Sequence, residues 1–132
     1  MNTRSDKEKI KVKKAAPKPN ASGSVTATIN GQVTITAENM YILGKPEGFV
    51  AYIKEGQGAI IMQFPFVVEP GTYDIEQHNI RVELDFNGLE DVAKTGVLIL
   101  ETFWMQKEYK GSFNVITIDD QKIEGVFYVR VI

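Results

Sequence analysis

The C-terminal stretch GSFNVITIDDQKIEGVFYVRVI, Gly111 to Ile132, constrains the fold more than any other part of the chain. Two runs alternate apolar and polar residues on either side of a polar break, Asp119-Asp120-Gln121-Lys122. Alternation at period two marks a half-buried strand, and two such runs about a short break make an antiparallel hairpin. On the second arm Ile123, Gly125, Phe127, Val129 and Val131 share one side, while Glu124, Val126, Tyr128 and Arg130 share the other. A lone hairpin is marginal in water, so earlier strands must cover its apolar side.

Those strands can be read in order. Val25, Ala27 and Ile29 alternate with threonines, and the pattern resumes after Asn30-Gly31 with Val33, Ile35 and Ala37. Asn-Gly is a strong hairpin signal. A two-residue loop there would pair Ile29 with Gln32 and invert the face, whereas a three-residue connection pairs Ile29 with Val33 and Ala27 with Ile35. The odd-numbered loop is therefore expected. Shorter strands follow at Met40–Leu43, Phe49–Lys54, Ala59–Phe64 and Tyr73–Ile75, with turns at Gly44–Gly48 and Gly56–Gly58. Pro65 and Pro70 end a strand because proline cannot donate to a ladder. Asn79–Phe86 puts Ile80, Val82, Leu84 and Phe86 inward and Arg81, Glu83 and Asp85 outward. Asn87–Gly96 is read as a loop with one helical turn at Leu89–Ala93. Gly96–Trp104 is read as a strand covered on both faces, and Met105–Lys110 as a turn. The fold class is all-β: an antiparallel β-sandwich or barrel of about eight to ten short strands.

The domain is expected at residues 23–132, preceded by a tail. Residues 1–22 carry seven Lys/Arg against Asp6 and Glu8, whereas the remainder carries eight basic and fifteen acidic residues. With so little apolar surface the tail is expected to be disordered, and Pro17 and Pro19 suit an extended spacer. It has one arginine and no aromatic to stack on bases, so nucleic acid is not the expected partner.

With 43% hydrophobic and 24% charged residues, the chain falls outside the fibrous and disordered classes. The absence of cysteine removes disulfides, thiol catalysis, cysteine-bound zinc and iron–sulfur clusters together. No run reaches the length of a membrane helix, and no signal-peptide core is seen in the chain as given. Nothing calls for a cofactor.

Three blocks carry a resemblance: Ala27-Thr28-Ile29-Asn30-Gly31, Gly71-Thr72-Tyr73 and Ile123-Glu124-Gly125-Val126-Phe127. In that order they are similar to small all-β domains of unassigned function, many from Bacteroidetes envelope lipoproteins. Val33 stands near the place where that family commonly has tryptophan, and the lipobox cysteine is missing. The resemblance implies an exported, envelope-associated module and brings no catalytic residue.

Candidate chemistry is thin. His78 is the single histidine, so every histidine mechanism must pass through it, and no nucleophile elbow surrounds Ser112. One histidine is too few for a typical zinc or copper site. Glu83 and Asp85 share a strand face as paired carboxylates could, but they alternate with apolar residues as a solvated face does. Asp119, Asp120 and Glu124 lack the spacing of a calcium loop. Glu101 shares a face with Val97, Ile99 and Phe103. If that face is the core, Glu101 is a buried acid; if Leu98, Leu100 and Trp104 are the core, Val97, Ile99 and Phe103 form an exposed strip that marks an interface. A third reading is that the strand leaves the core near Glu101. Phe103, Trp104 and Tyr109 gather beside polar residues and could anchor a protein or a sugar ring.

The expected function is a non-enzymatic binding or structural module, with Phe103, Trp104, Tyr109 and Glu101 as ligand- or partner-contacting residues. The alternatives are a carbohydrate-binding or carboxylate-based polysaccharide-acting enzyme, and an envelope or virion assembly protein.

Overall fold

The structure, a computed structural model, describes residues 19–44, 47–65, 69–104 and 107–132, with the backbone alone for Phe103. The expected tail, but for its last few residues, and the tip of the expected turn at Met105 lie outside them.

Nine strands form one sheet: β1 (Ala21–Ile29), β2 (Val33–Leu43), β3 (Glu47–Ile53), β4 (Gly58–Phe64), β5 (Gly71–Asp74), β6 (Arg81–Phe86), β7 (Leu89–Trp104), β8 (Glu108–Thr117) and β9 (Lys122–Val131). Eight are staves of a closed antiparallel barrel running β1-β2-β3-β4-β6-β7-β8-β9, and β1 pairs back to β9. The extra strand β5 adds to β7 beyond the point where β6 leaves it, pairing Tyr73 with Leu98. The architecture is thus a barrel and not a sandwich. Closure removes the exposed sheet edges that an open meander of this length would leave.

The first hairpin has the expected register, Ile29 opposite Val33 and Ala27 opposite Ile35. The run Val33–Leu43 is one strand where two were expected. A bulge between Ala37 and Asn39 absorbs the break in alternation, so that Met40 and Ile42 return to the interior. In β6, Val82 and Leu84 are buried as read, and in β9 so are Ile123, Phe127 and Val129.

Other sequence expectations fail as well. Leu89–Ala93 is not a helical turn: Asn87-Gly88 alone makes the connection, with both residues at positive φ, and β7 begins at Leu89. Two residues at positive φ form the tight turn whose twist suits a hairpin. Nor is Gly96–Trp104 covered on both faces, because Leu98 and Leu100 point in while Val97 and Ile99 are exposed.

Tight coiling of the wall depends on glycines at strand positions. Gly48 has φ +152°, and a Cβ there would lie 1.9 Å from the carbonyl oxygen of Met62 on the next strand. No side chain fits in that space, so β3 can approach β4 this closely only with glycine at that position.

Candidate partner-binding face

The barrel interior is packed with side chains. Phe49 stands 5.4 Å from Phe127 and 6.0 Å from Tyr109 between ring centroids, Phe64 lies 5.9 Å from Tyr109, and Phe113 lies 6.4 Å from Phe127. Met40 and Met62 are fully buried among them. Eight strands enclose a space just wide enough for such a filling. Tyr109 lies wholly inside, and its hydroxyl donates to Glu47 Oε1 at 3.0 Å. It cannot reach a partner on the surface.

The opposite mouth is closed by Asp91, a buried acid on the segment read from sequence as a loop. Thr117 Oγ1 donates to Asp91 Oδ2 at 2.5 Å, and Gln121 Nε2 donates to the same oxygen at 2.8 Å. The amides of Val92 and Asp119 donate to Oδ1 at 3.0 and 3.3 Å. Burial alone raises the carboxyl pKa, but the hydrogen bonds from Thr117, Gln121, Asp119 and Val92 together outweigh it and hold the group below its ordinary value. With four donors on one carboxylate, this is a tie between β7 and the β8–β9 turn. It leaves little acceptor capacity for chemistry.

The other candidates do not converge. His78 sits in the turn after β5, its Nδ1 2.9 Å from the Asp74 carbonyl and its ring edge-on to Tyr73 at 5.1 Å. Asp120 takes positive φ in the β8–β9 turn and pairs with Lys94, while Glu124 pairs with Lys122 at 2.9 Å. Among the described residues no three His, Asp or Glu side chains gather closely enough to hold a metal ion.

The surface over β7, β8 and β9 is different. Ile99, Ser112, Val126 and Thr26 form one outward row across β7, β8, β9 and β1, and Val97, Asn114, Glu124 and Thr28 form the next. Val97 is 41% exposed, Ile99 43% and Val126 58%. Shallow depressions flank Val126, one reaching Thr28 and Asn114, the other reaching Glu101, Lys110 and Tyr128. A bulge between Leu100 and Thr102 falls at Glu101, which is exposed. The bulge reverses the parity of the strand end, so Trp104 joins the outer wall opposite Glu108 at 55% exposure, with Lys107 Nζ 4.5 Å above its ring. Tyr128 completes the face. Its hydroxyl donates to Glu108 Oε2 at 2.7 Å, and that bond, foremost among the causes, holds the phenol above its ordinary pKa.

Of the four residues singled out from sequence, Trp104 and Glu101 therefore reach this wall, Tyr109 lies inside the barrel, and the Phe103 side chain lies outside the described residues. Val126 and Tyr128 were missed. Their signal was present on the second arm of the C-terminal hairpin, where two large apolar or aromatic residues occupy the side opposite the core.

Compared with protein families, curated proteins and solved structures, the chain shows no match. No described helix is long and apolar enough to cross a membrane.

Proposed function

We propose that this protein is a non-enzymatic binding or structural module that holds a protein partner against the outer wall of β7, β8 and β9. The observation that carries this reading is the exposed strip Val97, Ile99 and Val126, ending at Tyr128 and Trp104. Exposed apolar side chains on neighbouring strands, with Ser112 between Ile99 and Val126 and with Glu101, Lys110, Glu108 and Arg130 around them, have the composition of an interface centre with a polar rim. The filled interior supports the same reading, because it leaves a small molecule no internal chamber among the described residues.

A carbohydrate ligand is the second reading, favoured by the exposed Trp104 ring alone. An envelope setting is what the resemblance implies.

The test is a photoreactive amino acid placed at Val126 in cells of the native host, with a control at Glu55. Protein adducts from position 126 that vanish when Ile99→Lys is added support the proposal. Equal adducts from both positions, or none from 126, contradict it. Glycan binding abolished by Trp104→Ala would transfer support to the second reading.

A further inference from the structure

Asparagine followed by glycine occurs at two turns, Asn30-Gly31 between β1 and β2 and Asn87-Gly88 between β6 and β7. The dipeptide has a chemical consequence besides its turn preference. A backbone nitrogen can attack the carboxamide carbon of the asparagine that precedes it, and glycine, without a side chain, leaves that nitrogen the least shielded.

The two turns are near duplicates. Asn30 and Gly31 have φ +53° and +66°, and Asn87 and Gly88 have φ +52° and +84°. All four residues are exposed, so water reaches both turns. In each turn the asparagine N–H donates to a carbonyl outside its own hairpin, Asn30 to Lys122 and Asn87 to Gln57, both at 2.7 Å.

They differ in the side chain. Asn30 Oδ1 accepts the Lys122 amide at 2.8 Å, so Lys122 both takes a bond from Asn30 and gives one back. This pair of bonds fastens the carboxamide to the start of β9. Attack by the Gly31 nitrogen requires the carboxamide to swing and leave the Lys122 amide without its acceptor. Among the described residues no hydrogen bond holds the Asn87 carboxamide, which turns freely toward the Gly88 nitrogen.

We infer that Asn87 is a site of spontaneous deamidation in the folded protein, and that Asn30, in the same dipeptide, is protected by Lys122. The Gly88 nitrogen gives its proton to hydroxide and bonds to Asn87 Cγ. The Cγ–Nδ2 bond breaks and the nitrogen takes up a proton to leave as ammonia. Water then opens the imide ring at either carbonyl, giving aspartate or isoaspartate, with no change of oxidation state. Isoaspartate carries the main chain through one additional carbon, in a turn that closes directly on the Phe86–Leu89 pair. The strand that brings Asp91 to the barrel mouth then starts from an altered turn. This site is independent of the proposed partner face.

Peptide mapping by mass spectrometry, on the full chain held at mildly alkaline pH with and without urea, tests the inference. Each site's rate in the folded protein is divided by its own rate in urea, which removes the influence of neighbouring sequence. So corrected, Asn87 should deamidate about five-fold faster than Asn30, the factor conferred by a hydrogen bond of about 1 kcal/mol. Asn87→Gln should abolish the early product and leave the Asn30 rate unchanged. In the same chain the Lys122 amide should exchange slowly with solvent. Equal corrected rates, a faster Asn30, or no acid at position 87 in the folded protein after urea has exhausted both sites would overturn the inference. Fast exchange at Lys122 would also overturn it, because the bond that distinguishes the two turns would be absent.

Discussion

Asp91 on β7 and Thr117 on β8 are joined by a 2.5 Å hydrogen bond inside the mouth of the barrel, and Thr117 in turn accepts the amide of Gln121 at 3.0 Å. This bond ties the last hairpin turn to the strand that forms the barrel wall beside it.

Asp91→Asn keeps the shape but sets an amide nitrogen against donors. At neutral pH it should cost about 1–3 kcal/mol by urea denaturation. The pH dependence follows from the lowered pKa of Asp91. A carboxylate bound more weakly to its proton in the folded state stabilises fully above its unfolded pKa, near 4, and loses that contribution as pH falls through the folded value. The gap between the parent and Asp91→Asn should therefore narrow from pH 5 downward. A gap constant from pH 7 to pH 2 would show that the carboxylate charge is not what holds the turn.

Tyr109→Phe retains the ring contacts with Phe49 and Phe64 and deletes only the hydroxyl that donates to Glu47. A buried carboxylate losing a donor should cost about 1–3 kcal/mol, measured as a fall in urea midpoint with unchanged slope.

Gly48 and Gly31 both have positive φ but differ in surroundings. A Cβ at Gly31 meets nothing within 4 Å, whereas at Gly48 it meets the Met62 carbonyl. Gly31→Ala should cost about 1–2 kcal/mol of backbone strain. Gly48→Ala should be far worse, because β3 and β4 must separate. Similar Tm values for the two variants would argue against the close approach.

Val126→Ser and Trp104→Ala alter side chains that face solvent, and each should change stability by no more than about 0.5 kcal/mol. Adduct formation from the probe at position 126 should fall in Trp104→Ala. A large Tm loss from either would place that residue in the core.

Much of the fold was legible because alternation reports directly on which side of a wall faces the core. The Asn30-Gly31 register and the inward residues of β6 and β9 followed from parity alone. Reading failed where polarity and burial part company. Leu89 is 76% exposed at the mouth while Asp91, two residues on, is buried, so β7 begins with its pattern inverted. The bulge at Glu101 then shifts parity by one, which sends Trp104 outward and separates it from Tyr109. Glu83 and Asp85 have the alternation of a solvated face, and nothing local signals that both are buried. The partner face was half-visible: Val97 and Ile99 were weighed as an exposed strip, but their meeting with Val126 and Tyr128 depends on pairing between β8 and β9 and on barrel closure.

Closure of the barrel is the claim beneath all of this, and through-space proton contacts with amide exchange across the β1–β9 seam measure it most directly. The account requires cross-strand contacts from Val25 to Phe127 and from Thr26 to Val126, with slow exchange along both strands. Absent contacts and fast exchange along β1 or β9 would mean an open sheet, and would contradict both the filled interior and the partner face proposed on its wall.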